Sequence, residues 1–199
     1  MQVEEILEKK KLSLFLKRVF DFLVSGIAIV VLMPLFVVVG VLIKISSKGP
    51  ILFKQVRVGK NEEEFKILKF RTMVVDAEKL GMQITVGEDK RITKIGKFLR
   101  KTKLDELPQL GNVLLGDMSF VGPRPEVPKY VNMYTDEQKK VLLVRPGITD
   151  LASIEFRNEN DILANSKNPE KTYIEEIMPK KLELNFDYIK NISMSYDIK

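Results

Sequence analysis

The chain has 199 residues, of which 45% are hydrophobic and 30% are charged, and its formal net charge is +6. This composition predicts one folded domain of ordinary size, and the excess of cations favours anionic partners such as phosphates, nucleotides, acidic lipids or nucleic acid. The sequence contains no cysteine and no histidine, which excludes disulfides, thiolate or imidazole zinc sites and histidine-based catalytic triads, and leaves carboxylates, lysine, arginine, tyrosine, hydroxyl groups or a hard metal ion for any catalysis.

The N-terminal segment, residues 1–20, mixes apolar and charged side chains in a pattern that predicts an amphipathic helix lying on a surface. Near its end, Arg18 and Asp21 are three residues apart, which is close enough for the two side chains to pair on one face of a helix. The alternative is that both are solvated at the beginning of a helix.

A long apolar segment follows, because no charged residue occurs from Phe22 to Ile43. Such a run is long enough to cross the hydrocarbon of a bilayer as a helix, which needs about 20 residues. Pro34 lies near its middle, where it removes a backbone hydrogen bond and crowds the preceding turn. Lysine and arginine flank both ends, and cationic flanks stay on the cytoplasmic side. A re-entrant hairpin broken at Pro34 satisfies both flanks; a kinked spanning helix and a buried soluble helix are the alternatives.

The remaining chain predicts short elements of both types, so the expected fold class is α+β and mostly helical, with interfacial amphipathic helices and a small β-hairpin. We divide it into a membrane segment, 1–46, and a catalytic domain, 47–199. The expected elements are strands at 51–53 and 65–70 joined by a turn at 58–62, a helix and loop within 73–91, a basic helix at 94–104, a helix at 136–144, a turn at 145–147 and a long helix within 167–191.

The basic helix at 94–104 has two interpretations. Its apolar residues share one face and its lysines and arginines populate the rest. That pattern is typical of a helix lying on an anionic membrane surface. It also fits a helix that packs on the core with a solvated charged face.

Two adjacent carboxylates, Asp105 and Glu106, follow this helix between the apolar residues Leu104 and Leu107. Neighbouring residues of a regular helix point about 100° apart, so both can face one metal or phosphate only where the backbone is irregular. Pro108 favours such an irregularity. Close carboxylates also separate their titrations, which suits one nucleophile and one acid or base. The common alternative is a solvated surface pair.

Cationic side chains that could bind phosphate recur along the chain. Arginine suits this role because its guanidinium forms two parallel hydrogen bonds to phosphate oxygens. Two of the arginines lie in loops rich in glycine and proline, Gly122–Pro125 and Arg145–Gly147, which lower the entropy cost of holding them in place. The candidates are Lys69, Arg71, Arg100, Arg124, Arg145 and Arg157.

Several ungapped blocks of this sequence carry a family resemblance. In order along the chain they are Lys69–Met73, Leu104–Leu110, Gly116–Pro125 and Arg145–Thr149, preceded by Lys17–Asp21. With these blocks the chain resembles the bacterial sugar transferase family, the small monotopic phosphoglycosyl transferases, from about residue 12 to residue 199.

The resemblance implies a reaction and its participants. Asp105 is expected to attack the β-phosphate of a UDP-sugar, release UMP and carry the sugar-1-phosphate, which polyprenyl phosphate then accepts. Mg²⁺ is expected at Asp105 and Glu106, and Glu106 assists through the metal or through proton transfer. Pro34 is expected to break the membrane helix. The residues implied in binding phosphate or nucleotide are Lys69, Arg71, Arg100, Arg124, Arg145, Arg157 and Asp197.

The resemblance also implies a cellular setting. It places the chain at the bacterial inner membrane with its catalytic domain facing the cytoplasm, among membrane lipid and possible downstream glycosyl transferases, without nucleic acid as a partner. Asp150–Ser153 and Asn185 depart from the usual family pattern, so the sugar stays unassigned. Relatives often continue past the position of Lys199, which leaves open a further C-terminal segment.

Two other functions compete with this interpretation. A membrane-anchored basic module that binds lipid or nucleic acid explains the net charge but not an acidic pair framed by Arg-Pro loops. A glycosyl transferase that passes on only the sugar would release UDP instead of UMP.

Overall fold

The computed structural model describes residues 3–77 and 89–198 of the chain. This part is mostly helical, with two sheets of two strands each. The predicted class, a mostly helical α+β chain, is therefore confirmed. The division into segments 1–46 and 47–199 stays a prediction, although α2 ends at the predicted boundary, at Ser46.

The helices are α1 Val3–Lys9, α2 Lys11–Ser46, α3 Lys94–Lys101, α4 Gln109–Leu115, α5 Pro128–Val131, α6 Asp136–Lys139, α7 Leu151–Glu155, α8 Glu159–Ala164, α9 Pro169–Thr172, α10 Met178–Asn191 and α11 Met194–Asp197. The strands are β1 Leu52–Val58, β2 Glu64–Phe70, β3 Ser119–Val121 and β4 Gly147–Thr149. Short 3-10 helices lie at Lys60–Glu62, Leu104–Glu106 and Lys140–Leu143, and one π-helical turn lies at Tyr173–Ile177.

Helix α2 contains the long apolar segment, and it is the one described helix long and apolar enough to cross a membrane. The helical backbone continues through Pro34. A proline can bend a helix without ending it, so the re-entrant form stays a prediction. Between Ser25 and Val39 no side chain of α2 is buried. The middle of this helix therefore leaves the protein core.

The first part of α2 is fixed to the folded domain by two polar side chains. The Arg18 guanidinium donates to the carbonyl oxygens of Val113 at 2.6 Å and Leu114 at 3.0 Å. These carbonyls lie at the end of α4, where backbone acceptors lack helical partners. Asp21 is buried and accepts from the backbone N–H of Phe120 at 3.3 Å. Both side chains of the predicted pair thus dock α2 on α4 and β3.

The last part of α2 also packs on the folded domain. Val39 and Ile43 are buried in one cluster with Phe70 of β2 and Leu99 of α3. The ring of Phe36 meets that of Phe70 edge to face, with centroids 5.7 Å apart. Both ends of the apolar segment therefore contact the same domain.

Strands β1 and β2 form the predicted antiparallel hairpin, with Leu52 opposite Phe70 and Val58 opposite Glu64. Their connection turns through left-handed backbone, with φ of 56° at Asn61. Strand β1 is longer than the strand predicted at 51–53, because it continues to Val58. Within the predicted helix and loop at 73–91, residues 78–88 lie outside the described part, and Met73 forms an isolated bridge with Ile92.

Helix α4 is held on the hairpin by one buried amide that the sequence did not single out. Asn112 accepts from the Leu68 N–H at 2.9 Å and donates to the Lys66 carbonyl at 2.9 Å and to the Asp117 carboxylate at 3.1 Å. The amide thus provides hydrogen-bond partners for backbone groups at the free edge of β2. It also fixes the position of α4 relative to Lys69, the next residue of the strand.

A parallel strand pair, β3 with β4, brings the two Arg-Pro loops together. The sequence predicted only a turn at 145–147 and missed both strands, because three-residue strands have too little pattern to recognise. Gly122 N–H donates to the Thr149 carbonyl at 3.0 Å, and Gly147 N–H donates to the Pro123 carbonyl at 2.9 Å. A Cβ at Gly147 would stand 2.2 Å from the Gly122 nitrogen. The two loops therefore touch backbone to backbone.

The C-terminal part contains the predicted long helix, since the backbone is helical from α9 through the π-helical turn to the end of α10 at Asn191. The helix predicted at 136–144 appears as α6 followed by a 3-10 helix. Helix α10 supplies Leu182, Tyr188 and Ile189 to the largest core cluster, which also includes Val3 of α1.

Gly147→Ala tests the contact between the loops. Because the added methyl group meets backbone that cannot rotate away, we expect a loss of stability of about 1–3 kcal/mol. Thermal unfolding in detergent would measure it. Gly26→Ala is the matched control, since its Cβ would lie 3.7 Å from a leucine side chain, and an unfolding temperature equally lowered by both changes would contradict the prediction.

Candidate active site

The acidic pair lies on a tight turn. Helix α3 ends at Lys101, Lys103 adopts left-handed backbone with φ of 59°, and Leu104–Glu106 forms a 3-10 helix before α4 begins. The backbone is therefore irregular at Asp105 and Glu106, as the sequence predicted. The angle of about 100° that a regular α-helix sets between neighbouring residues therefore does not apply to this pair.

Glu106 is the centre of a charged cluster. Its Oε1 accepts from Lys69 Nζ at 2.7 Å and from an Arg124 terminal nitrogen at 2.6 Å. Lys69 comes from β2 and Arg124 from the loop after β3. One carboxylate oxygen therefore joins three elements that are far apart in the sequence.

The charges of this cluster shift one another. Burial alone would raise the pKa of Glu106, but the Arg124 and Lys69 cations outweigh it and hold that pKa well below its usual range. Burial and the Arg124 charge lower the pKa of Lys69 to about 8, although Glu106 opposes the change. These shifts favour the charged form of Glu106 at neutral pH, and they bring the pKa of Lys69 from its ordinary value to about 8.

Asp105 differs from its neighbour. It is 7% exposed, and its Oδ1 is buried without a hydrogen-bond partner in the described part of the chain. Burial raises the pKa of this carboxyl and the Glu106 charge adds to the rise, while Lys69 and Arg100 oppose it. A buried carboxylate oxygen without a partner is rare, because its lost hydration is not replaced. Asp105 is therefore poised to bind or to react.

Arg100 approaches the same side of the site from α3. Its Nε donates to the Thr72 hydroxyl at 2.9 Å. Burial lowers the pKa of this arginine, and the Asp105 charge opposes that change. Helix α3 packs tightly here, because a Cβ at Gly96 would stand 1.9 Å from the Thr72 carbonyl oxygen. Arg100 thus joins Asp105, Glu106 and Lys69 in one cluster.

Two further predicted phosphate binders contact backbone elsewhere. Arg71 is buried and donates to the carbonyls of Ser47 at 2.8 Å and Lys48 at 2.9 Å. It therefore fixes the turn that follows α2. Arg145 donates to the Gly116 carbonyl at 2.8 Å. Burial and the Arg18 charge lower the pKa of Arg145, so this side chain lies beside the docked end of α2.

Asp197 and Arg157, the remaining two predicted site residues, both lie outside the cluster around Glu106. Asp197 is an anchor: its carboxylate accepts from Lys17 Nζ and, at 2.9 Å, from the Tyr188 hydroxyl. It thereby ties the C-terminal end of the described chain to the first turns of α2. Arg157 is exposed in the turn after α7.

Sequence reasoning missed Gln109, the first residue of α4. It is 1% exposed, and its Nε2 has no hydrogen-bond partner among the described residues. A buried amide next to the acidic pair is visible only after folding, since the sequence gives a glutamine no sign of burial. The signal available was its position directly after Pro108, at the beginning of α4.

The donor set of this site suits a hard divalent cation. No group of three acidic side chains capable of holding a metal occurs in residues 3–77 and 89–198. Mg²⁺ does not require one, because it keeps several waters and is bound by one or two carboxylates together with substrate phosphates. The unpartnered Asp105 oxygen and the neighbouring Glu106 match that pattern.

The fold and the cluster together define a class of protein: within the residues that the structure describes, the chain has a long apolar helix, a buried carboxylate with one unpartnered oxygen, and cations from three elements around it. The model of the bacterial sugar transferase family matches residues 12–199. The chain belongs to this family, as its sequence blocks indicated.

Named relatives agree with this membership. The chain is 40% identical over 187 residues, which are 92% of this chain and 41% of the relative, to a UDP-N-acetylgalactosamine-undecaprenyl-phosphate N-acetylgalactosaminephosphotransferase of Aeromonas hydrophila. It is 38% identical over 192 residues, 94% of this chain and 39% of the relative, to a UDP-glucose:undecaprenyl-phosphate glucose-1-phosphate transferase of Klebsiella pneumoniae. It is 44% identical over 158 residues, 72% of this chain and 75% of the relative, to an exopolysaccharide production protein of Rhizobium leguminosarum bv. phaseoli. The chain thus spans about two fifths of the length of the first two.

The reactivity of Lys69 tests the charged cluster. Its amine should react with an acylating reagent with a midpoint near pH 8, the value to which its pKa is lowered. Because Glu106 raises that pKa, Glu106→Gln should shift the midpoint to lower pH. Mass spectrometry of the modified peptide would measure it, with the exposed Lys97 as the internal control. A midpoint that rises in the variant would contradict the assignment.

Proposed function

We propose that this chain transfers sugar-1-phosphate from a UDP-sugar to polyprenyl phosphate and releases UMP, as an early membrane step of polysaccharide or other glycoconjugate synthesis. The observation that carries the proposal is the unpartnered buried oxygen of Asp105 next to a carboxylate clamped by two cations. Two of the relatives are named as sugar-phosphate transferases that use undecaprenyl phosphate, and this supports the proposal.

Asp105 is the nucleophile of the first step. An oxygen of its carboxylate forms a bond to the β-phosphorus of the donor. The bond breaks between that phosphorus and the oxygen that links it to the α-phosphorus. UMP leaves with the electron pair, and the sugar phosphate stays bonded to Asp105. A carboxylate is an established nucleophile toward phosphorus. Its burial beside Lys69 and Arg100 supports this role.

The second step regenerates the carboxylate. A phosphate oxygen of the polyprenyl acceptor attacks the same phosphorus, the bond to Asp105 breaks, and the product is a polyprenyl diphosphate sugar. Both steps move negative charge among phosphate oxygens, so fixed cations supply most of the stabilisation. Lys69, Arg100 and Arg124 are positioned for this by their contacts with Thr72 and Glu106.

Glu106 positions Lys69 and Arg124 and, with Asp105, would hold Mg²⁺. When bound, the metal would neutralise donor phosphate oxygens and so ease attack by an anion. Glu106 keeps its negative charge because Arg124 and Lys69 lower its pKa, which argues against a role as a proton donor at neutral pH. The retained charge therefore favours metal binding over proton transfer as the role of Glu106.

Helix α2 would anchor the site at the membrane and re-enter the same face. Its two ends contact one domain: Arg18 binds α4, and Ile43 packs beside Phe70. A straight crossing would separate the ends by about 30 Å, the thickness of the hydrocarbon, and would release one of these contacts. The basic flanks then stay with the catalytic domain on the cytoplasmic side.

Asp105→Asn tests the chemistry. The amide is a poor nucleophile of similar shape, so we expect UMP formation to fall by at least about 10³-fold (about 4 kcal/mol in the barrier). The assay supplies Mg²⁺, polyprenyl phosphate and a panel of UDP-sugars, and mass spectrometry seeks a phosphosugar on the Asp105 peptide. Asp187→Asn, at an exposed residue of α10, is the control. UDP in place of UMP would indicate transfer of the sugar alone, and no product from any donor would favour a binding module.

Pro34→Ala tests the topology. Restoring the missing hydrogen bond favours a straight helix, so part of the protein should adopt the spanning form. A single cysteine at Lys9 can be labelled with a membrane-impermeant reagent, because the chain has no cysteine of its own. In the unsubstituted helix, labelling should require access from the side of the catalytic domain. Opposite sides for Lys9 and that domain would exclude the re-entrant form.

A further inference from the structure

Arg57 of β1 is a buried cation that the proposed mechanism does not use. Burial lowers the pKa of its guanidinium, the Glu126 charge opposes that change, and the Arg124 charge adds to it. The Glu106 charge acts on the same group. Arg57 therefore lies within the electrostatic surroundings of the charged cluster, although its own contacts are with another part of the chain.

Those contacts fix the loop that follows β3. One terminal nitrogen of Arg57 donates to the Pro125 carbonyl at 3.0 Å and to Glu126 Oε1 at 3.3 Å. The next residue of the strand, Val58, donates its N–H to the Glu126 carbonyl at 2.9 Å. Strand β1 thus binds the two residues after Arg124 through both a side chain and its backbone.

The partners of this guanidinium are themselves held in place. Gln55, on the same strand, accepts from Arg57 Nε at 3.1 Å and from its other terminal nitrogen at 2.7 Å. Glu126 also accepts from the Val127 N–H at 2.7 Å and from the Tyr173 hydroxyl. The direction of the Arg57 side chain is therefore fixed from two sides.

The loop depends on donors from outside because a proline stands on each side of Arg124, and proline has no N–H to donate. The Pro123 carbonyl accepts from the Gly147 N–H at 2.9 Å, and the Pro125 carbonyl accepts from Arg57. The backbone is thus tied to β4 before Arg124 and to β1 after it. Of this short segment, the Arg124 side chain is the part that reaches the acidic pair.

We propose that Arg57 is a positioning residue, which fixes Arg124 for the donor phosphates by holding the Pro125 carbonyl and does not touch the donor itself. The inference rests on the proposed function, because that function brings phosphates to Arg124. The competing role is an ion pair with Glu126 that only stabilises the fold. The two roles differ in whether the effect of Arg57 depends on Arg124.

A double-variant cycle tests that dependence. Arg57→Gln should lower kcat for UMP formation by about 10-fold to 100-fold, because a catalytic group displaced by about 1 Å loses most of its effect. If Arg57 acts through Arg124, adding Arg57→Gln to Arg124→Gln should cause no further loss. Independent, multiplicative losses would overturn the proposal, and so would an unchanged rate in Arg57→Gln.

Glu126→Gln is the matched control for stability. It removes the ion pair but leaves Arg57 free to donate to the Pro125 carbonyl. Both single variants should lower the unfolding temperature in detergent, whereas only Arg57→Gln should lose the rate of UMP formation. Arg57→Lys should recover much of that rate, since its ammonium can still donate to this carbonyl. Equal losses of rate in Arg57→Gln and Glu126→Gln would show a structural role alone.

Should Arg57→Gln fail to fold because Glu126 is left without its cation, the cycle can be run on the Glu126→Gln protein. That background leaves no unpaired buried charge when Arg57 is replaced. The expected result is the same: replacement of Arg57 slows the protein that has Arg124 and has no effect on the protein that lacks it.

Binding of inorganic pyrophosphate with Mg²⁺ separates this inference from the proposed function. By calorimetric titration, Arg57→Gln should weaken binding about threefold or more, within the range of coupled neighbours, and only where Arg124 is present. That coupling without UMP release from any UDP-sugar would keep the positioning role and reject the transferase. UMP release with independent effects of the two arginines would do the reverse. No binding of pyrophosphate by the unsubstituted protein would overturn the phosphate site at Arg124 and the positioning role with it.

Discussion

The hydrogen bonds that Glu106 accepts from Lys69 and Arg124 hold the candidate active site together. Like charges from β2 and from the loop after β3 meet at one carboxylate oxygen. Without this anion the two cations would repel each other in a largely buried space. Glu106 neutralises part of their charge, and it takes up the Lys69 amine, while the neighbouring Asp105 oxygen has no hydrogen-bond partner among the described residues. The electrostatic surroundings of Asp105, the proposed nucleophile, therefore depend on Glu106, which need not react.

The fold brings these groups together through short, close contacts. Asn112 fixes α4 to the edge of β2, Gly96 lets α3 approach the Thr72 carbonyl, and Gly147 lets the two Arg-Pro loops touch. At the two glycines there is no room for an added Cβ. Small side chains far from the acidic pair thus determine where its cations lie.

The same domain also holds both ends of the apolar helix. Lys17 and Arg18 attach its first turns to Asp197 and to α4, while Val39 and Ile43 pack beside Phe70. Phe70 follows Lys69 directly, and Leu104 of the same apolar cluster precedes Asp105. The contacts that hold the apolar helix are therefore made by residues next to Lys69 and Asp105, so this helix and the candidate active site share one folded domain.

The sequence by itself determined the apolar helix, the β-hairpin, the long C-terminal helix, the acidic pair and the family, because these depend on length, periodicity and contiguous motifs. Only the tertiary structure decided which cations meet the pair. Lys69, Arg100 and Arg124 join it, whereas Arg71, Arg145 and Asp197 are used to fix α2 and its neighbours. Five of these six residues are cations that look alike in the sequence, and Asp197 is an anion; their roles differ because burial and hydrogen-bond partners come from segments far apart along the chain.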